Sequence, residues 1–198
     1  MKNVNSKEEQ KNHKYHKAYY RNNSYSEQSE TEEGSSKEVM INISLLKEIA
    51  DTLTSIISEC KKLKNSIDKN SPFNHNKFVQ KISLFDYLFR IQKYTGIENN
   101  TLIIALIYID RICKKKQISL TKYNIHRLLF TSIIISIKYN EDIIYNNLFY
   151  SKIGGISTDE LIKLESVFLK IISFELFVQD NLYQKYYDYL NYNIDMKK

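Results

Sequence analysis

Residues 125 to 137 of this chain read Ile125-His126-Arg127-Leu128-Leu129-Phe130-Thr131-Ser132-Ile133-Ile134-Ile135-Ser136-Ile137. This run is too continuously hydrophobic for a helix lying at a protein surface, so we expect other helices to pack around it. Charge returns abruptly in Lys138-Tyr139-Asn140-Glu141-Asp142. A second apolar helix is predicted from Asp159 to Phe174, with Glu165 one step off its inward stripe and therefore partly buried.

The composition of the chain favours helices. Its 198 residues allow one domain with extensions, and one proline and four glycines permit few sharp turns. Both cysteines, Cys60 and Cys113, fall at apolar positions of predicted helices, so we expect small core residues rather than a disulfide. The sequence therefore predicts an all-α protein in a reducing, intracellular compartment.

Charge and hydropathy argue against nucleic acid and membrane partners. The net charge of +6 is concentrated in Lys61-Lys62-Leu63-Lys64 and Lys114-Lys115-Lys116. Each group lies near a predicted helix end or solvated face, where a lysine cluster is typical without any nucleic acid. No apolar run approaches the ~18 residues of a membrane span, and the N-terminus has no apolar signal segment. We expect the protein in the cytoplasm, the nucleus or both.

Residues 1–37 are predicted to be a disordered polar tail. Val4 and Ala18 are the only aliphatic residues in it after Met1, so little apolar burial could offset the entropy of ordering this segment. His13 and His16 lie in this tail without a further metal ligand, and we predict no metal site there.

A long N-terminal helix is predicted from about Glu38 to Asp68, ending before Asn70-Ser71-Pro72. Its apolar residues recur at steps of three and four: Leu46, Ile49, Leu53, Ile56, Cys60, Leu63 and Ile67. This stripe favours packing on the chain's own domain, and a coiled-coil partner stays open as an alternative.

Three further helices follow from the same periodicity. One carries Ile82, Phe85, Leu88, Phe89 and Tyr94 and stops at Gly96. The next, from about Asn99, is largely apolar, so Asp110 within it needs a cationic or hydrogen-bonding partner. A last helix is predicted from Asp180 to Tyr192, with tyrosine rings covering the domain.

The polar residues do not assemble a catalytic or cofactor site. His126 lacks a serine, cysteine or aspartate at a spacing that would make it catalytic. Gly154-Gly155 lacks the spacing of a phosphate-binding loop and is expected to be a turn. Ser157 and Glu160 form a capping box that begins the next helix. We predict that the protein is not an enzyme and has no cofactor.

Four short motifs together resemble the cyclin box in order and spacing. They are Asp86-Tyr87-Leu88, Tyr108-Ile109-Asp110-Arg111, Ser136-Ile137-Lys138-Tyr139-Asn140-Glu141-Asp142 and Leu164-Glu165-Ser166-Val167-Phe168-Leu169-Lys170, the last followed by Phe174-Glu175-Leu176. Three further segments are similar to the P-type and U-type branch of that family, which includes a phosphate-signalling cyclin. They are Asn124-Ile125-His126-Arg127-Leu128-Leu129, Tyr145-Asn146-Asn147 and Lys152-Ile153-Gly154-Gly155-Ile156-Ser157. The resemblance covers residue 38 to about residue 178.

The resemblance implies an all-α fold: a five-helix cyclin box with an added long N-terminal helix and a short C-terminal helix. The corresponding divisions are 1–37, 38–70, 71–178 for the box and 179–198. In the family, a lysine and a glutamate bind the C-helix of the kinase, and these two positions fall on Lys138 and Glu165. Its structural aspartate falls on Asp110, and the partner position of that aspartate falls on Lys81, where the family has arginine.

By this resemblance the chain is expected to be a non-catalytic subunit that binds and activates a cyclin-dependent protein kinase by holding its C-helix in the active position. Substrate proteins would be further partners, although Gln80-Lys81-Ile82-Ser83-Leu84 departs from the family's hydrophobic docking motif. The alternatives are a cyclin-like transcription factor, or a scaffold that binds nucleic acid or a protein without activating a kinase.

Overall fold

The fold is a bundle of helices in the part of the chain that the structure describes. The computed structural model describes residues 41–62, 71–74, 79–116 and 118–197. The predicted disordered tail, residues 1–37, lies outside these residues. Within them the chain forms seven helices and no strand. The helices are α1 (Ile43–Lys62), α2 (Leu84–Thr95), α3 (Asn99–Lys116), α4 (Ile125–Asn140), α5 (Asn147–Gly154), α6 (Thr158–Ile171) and α7 (Asp180–Met196).

Helix α4 is the central helix, as its hydrophobic run predicts. Every residue from Leu128 to Ile137 is buried, and α4 packs against both α3 and α6. Two small hydroxyl residues let α3 and α4 approach closely: Ser132 donates to the Ala105 carbonyl, and Ser136 donates to the Thr101 carbonyl at 2.8 Å. These bonds satisfy the buried hydroxyls without using the helix's own backbone.

Helix α1 packs on α2 and α7 of the same chain. Leu46, Ile49 and Leu53 are buried as predicted, which favours the internal-packing alternative for this part of the stripe. The prediction is wrong at Ile56, which is exposed while Ile57 is buried. A straight α-helix has 3.6 residues per turn, so a stripe drawn at 3.5 drifts away from the buried face. Residues 63–70, with the rest of the predicted helix, lie outside the described residues.

Helix α7 ends at Met196 rather than at Tyr192. Its last turn is tied to the buried carboxylate of Glu48 on α1. Asn193 Nδ2 donates to Glu48 Oε1 at 2.9 Å, and Lys197 Nζ lies 2.7 Å from Glu48 Oε2. These partners satisfy the buried charge of Glu48. The last turn of α7 therefore helps to fix α1 to the bundle.

The turn between α5 and α6 uses the two glycines differently. Gly155 has a φ of 70° and ends α5, a left-handed conformation that glycine adopts without steric cost. Gly154 lies against the ring of Phe130, and a Cβ atom there would overlap the ring. The prediction that these glycines form a turn is confirmed for Gly155, whereas Gly154 is the last residue of α5.

Alanine substitutions should therefore separate the two roles. We expect Gly154→Ala to lower the free energy of unfolding by about 1–3 kcal/mol or more, because Phe130 must leave its packed position. Gly155→Ala should lower the free energy of unfolding by about 1 kcal/mol, because a residue with a side chain is strained at positive φ. Denaturant unfolding of both variants checks the order, and a Gly155→Ala cost exceeding that of Gly154→Ala would contradict it.

Only half of the predicted capping box forms. Ser157 Oγ accepts from the Glu160 backbone N–H at 3.1 Å, so Ser157 is the N-cap as predicted. The Glu160 carboxylate instead pairs with the guanidinium of Arg127 on α4. Arg127 also donates to the Asn74 carbonyl at 2.8 Å. A largely buried guanidinium needs an anion more than the Ser157 backbone N–H needs a carboxylate acceptor.

Candidate functional site

Lys138 and Glu165 lie side by side although 27 residues separate them in sequence. Helix α4 ends just beyond Lys138, and α6 carries Glu165 on the face that packs on α4. Lys138 Nζ is 2.6 Å from Glu165 Oε1. The Glu165 side chain is 10% exposed and that of Lys138 is 30% exposed, so the ion pair sits at a rim between core and solvent.

Asn147, the first residue of α5, joins this pair. Its Oδ1 accepts from Lys138 Nζ at 2.6 Å, and its Nδ2 donates to Glu165 Oε2 at 3.0 Å. The three side chains, called the polar triad below, therefore form a closed ring of hydrogen bonds. Residue spacing predicted no role for Asn147, although it lies in the Tyr145-Asn146-Asn147 segment of the resemblance.

Large exposed apolar side chains lie close in sequence to the residues of the polar triad. Tyr139 follows Lys138, Leu148 follows Asn147, and Ile162 precedes Glu165 by one helical turn. With Ile143 and Ile144 of the α4–α5 connection they form what we call the apolar rim, and each of the five is at least half exposed. Several large apolar side chains exposed in one part of a protein surface are typical of a protein interaction site.

A second exposed apolar feature follows α6. Ser173 and Phe174 both have a φ of 57°, a strained conformation for residues other than glycine. Helix α3 holds the carbonyls of this segment: Arg111 donates to Glu175 and Phe177, the latter at 2.8 Å. Phe174 and Phe177 are 65% and 69% exposed. Hydrogen bonds from α3 therefore hold the backbone of a segment that exposes two phenyl rings to solvent.

The structure does not bring Lys81 to Asp110. Lys81 is exposed and precedes α2, whereas Asp110 Oδ2 accepts from Lys114 Nζ at 2.6 Å. Lys114 lies four residues further along α3, where helix geometry alone brings opposite charges together. Asp110 also faces Tyr186 on α7, and burial together with this carboxylate raises the Tyr186 pKa. The predicted pair of Lys81 with Asp110 is wrong.

The two cysteines, Cys60 on α1 and Cys113 on α3, form no disulfide bond. Cys60 and Cys113 are free and half-buried, less deeply than predicted. Burial raises the pKa of Cys113 to about 12, so its thiol is protonated near neutral pH and is a poor nucleophile.

The described residues hold no group of three or more His, Cys, Asp or Glu side chains placed to bind a metal ion. Nor does any helix among them have the length and apolar character to cross a membrane.

His126 ties α4 to the segment before α2. Its Nε2 donates to the Ile82 carbonyl at 3.1 Å, and its ring stacks edge-on against Tyr87. Burial lowers the pKa of His126 below 6.5, although the Ile82 bond opposes the shift. The neutral imidazole is therefore the form that the folded protein prefers.

This preference predicts a pH dependence of stability. The unfolded chain binds a proton at His126 more readily than the folded chain, so the free energy of unfolding should fall as the pH drops below about 6.5. Urea unfolding at pH 7.5 and pH 5.5 measures this loss. His126→Gln, which keeps a donor for Ile82, should reduce the difference between the two pH values; an unchanged difference would contradict the assignment.

Helices α2 to α6, arranged around the buried α4, define a cyclin box with Lys138 at the end of its third helix and Glu165 in its fifth. The family model described as Cyclin matches residues 7–176, so the chain belongs to the cyclin family. Cyclins are regulatory proteins without catalytic activity, in agreement with the prediction that the chain is not an enzyme.

Relatives place the chain with the P-type and U-type cyclins, as its motifs predict. It is 39% identical to Cyclin-U4-1 of Arabidopsis thaliana over 55% of this chain and 54% of that protein. It is 34% identical to Cyclin-P3-1 of Oryza sativa subsp. japonica over 62% of this chain and 52% of that protein. For PHO85 cyclin-7 of Saccharomyces cerevisiae the identity is 39%, over 57% and 44%. The chain thus spans about half the length of the relatives it matches.

Proposed function

We propose that this cyclin is the regulatory subunit of a cyclin-dependent protein serine/threonine kinase and activates it by holding the kinase C-helix in the active position. The observations that carry the proposal are the polar triad and the exposed apolar side chains of the apolar rim that neighbour it in sequence. A cyclin relative whose name, PHO85 cyclin-7, pairs it with PHO85 supports a kinase as the class of partner.

The apolar rim would supply the binding energy. Burial of apolar surface contributes about 25 cal/mol per Å² to binding. The side chains of Ile143 and Leu148 are exposed, so a partner could bury their apolar surface. Because Tyr139 adds an aromatic ring beside Lys138, the contact combines apolar area with the kind of residue that dominates interface energetics. Phe174 and Phe177, which are exposed after the end of α6, would offer a partner further apolar area.

The polar triad would supply orientation. Lys138 can donate to a backbone carbonyl of a partner helix, and Glu165 can accept from a backbone N–H. A helix has free N–H groups at its N-terminus and free carbonyls at its C-terminus, and the irregular segment beside either end offers both. A cation and an anion side by side therefore favour one end of a partner helix with its flanking segment over an apolar surface alone. A ligand shifts a kinase toward its active state only by binding that state more tightly. Bonds made only with the inward C-helix meet this condition.

Affinity purification from the native cell tests the proposal. A tagged chain should recover a cyclin-dependent kinase, and the purified pair should phosphorylate a protein substrate faster than the kinase alone. Recovery of a kinase without faster phosphorylation would favour the scaffold alternative. Recovery of no kinase would overturn the proposal. A fluorescent fusion of the chain would test the accompanying proposal that it acts in the cytoplasm or nucleus.

A further inference from the structure

Asn147 has a geometry that few other residues could provide. A neutral amide carries an acceptor and donors less than 3 Å apart on one rigid plane, so one side chain can bond a cation and an anion together. Its oxygen faces the Lys138 ammonium and its nitrogen faces a Glu165 oxygen. An aspartate could bond only the cation, and a lysine only the anion.

The backbone of Asn147 is itself fixed. Asn146 caps α5, and its Oδ1 accepts from the Phe149 N–H at 2.9 Å. Helix α5 then packs against α6, the helix that carries Glu165. The backbone of Asn147 therefore has a defined position. The two hydrogen bonds of its side-chain amide in turn fix the orientation of Lys138 and Glu165.

The polar triad still has bonding capacity for a partner. Lys138 has three N–H donors, of which Asn147 and Glu165 take two. Each Glu165 oxygen accepts one bond within the triad and has a lone pair left over. A partner could thus bond both charges without breaking the ring that orients them.

We propose that Asn147 is a positioning residue of the kinase-binding surface, which presents Lys138 and Glu165 to the kinase as one preformed unit. The inference rests on the proposed function. Lysine and glutamate side chains lose rotamer freedom when they are ordered on binding, and a free chain that has already ordered them avoids this loss. Asn147 would thus raise affinity without needing a contact of its own with the kinase.

The test replaces Asn147 by leucine, which has a similar volume and no hydrogen-bonding group. The probe is the recombinant form of the kinase recovered with the tagged chain, and binding is measured by surface plasmon resonance. We expect Asn147→Leu to weaken binding by about tenfold, as for two side chains that must be ordered on binding. Asn147→Asp keeps a bond to Lys138 but places a carboxylate against Glu165, and should also weaken binding. Lys152→Ala, an exposed change at the other end of α5, should leave affinity unchanged.

A second measurement distinguishes positioning from mere stabilisation of α5. In a chain that already carries Lys138→Met and Glu165→Gln, Asn147→Leu should cause no further loss of affinity, because the groups it orients are gone. A further tenfold loss in that background, or wild-type affinity for Asn147→Leu alone, would overturn the inference and leave the proposed function standing. Wild-type affinity of the Lys138→Met, Glu165→Gln chain would instead overturn the proposed kinase contact, and the inference with it.

Discussion

The chain with both Lys138→Ala and Glu165→Ala should bind its kinase at least about 30-fold more weakly than the unchanged chain. Truncating a charged group that is desolvated at an interface costs on the order of 2–5 kcal/mol. Glu165 is almost fully buried before any partner arrives, so most of its desolvation cost is met by the fold. The kinase would therefore gain its bonds to this carboxylate with little further penalty. Titration calorimetry with the purified kinase measures the change.

The single variant Lys138→Ala gives a further expected result. Lys138→Ala leaves the Glu165 carboxylate buried with Asn147 as its remaining partner in the triad, so it should destabilise the chain more than the double variant does. A matched control is available on α3, where Asp110 and Lys114 are also 2.6 Å apart but more exposed. Alanine at both of these positions should leave kinase affinity within about twofold, since an exposed pair contributes little. Equal losses in the two double variants would contradict the assignment of Lys138 and Glu165.

The elements that the sequence predicts well are those with a strong periodic or local signal. The continuous apolar run of α4 predicts its burial, because no face of such a helix can meet water cheaply. Ser157 before Asp159-Glu160 predicts the start of α6, because the hydroxyl satisfies a free N–H of the first turn. The motifs that resemble a cyclin box predict that Lys138 and Glu165 serve one site, and the structure brings them into contact.

The elements that the sequence predicts poorly depend on tertiary geometry. The role of Asn147 follows from where α5 begins relative to α4 and α6, which no spacing along the chain encodes. The signal that could have found the start of α5 is Asn146, a good N-cap residue before an aromatic run. The pair of Lys81 with Asp110 rested on the resemblance alone. The local four-residue spacing of Asp110 and Lys114 is the stronger predictor of the observed contact.

Phe168→Ala should lower the free energy of unfolding by about 3–5 kcal/mol, the usual cost of a large aromatic truncation in a packed core. Phe168 is fully buried on α6, and its ring packs edge-on against Phe73 with centroids 6.0 Å apart. Its removal leaves a cavity at the point where residues 71–74 join the bundle. Urea unfolding followed by circular dichroism measures the cost, which is a large share of the 5–15 kcal/mol that holds a typical domain folded.

Ile162 lies on the same helix and should show the opposite pattern. Its side chain is half exposed in the apolar rim, so Ile162→Ala should change the free energy of unfolding by less than about 0.5 kcal/mol. If the rim is the kinase contact, the same change should weaken kinase binding by about tenfold, because buried methyl and methylene groups are lost at the interface. Phe168→Ala, measured well below its unfolding midpoint, should bind nearly normally, since Phe168 faces the core. An Ile162→Ala chain with unchanged affinity and a Phe168→Ala chain with lost affinity would mean that α6 meets its partner through a different face.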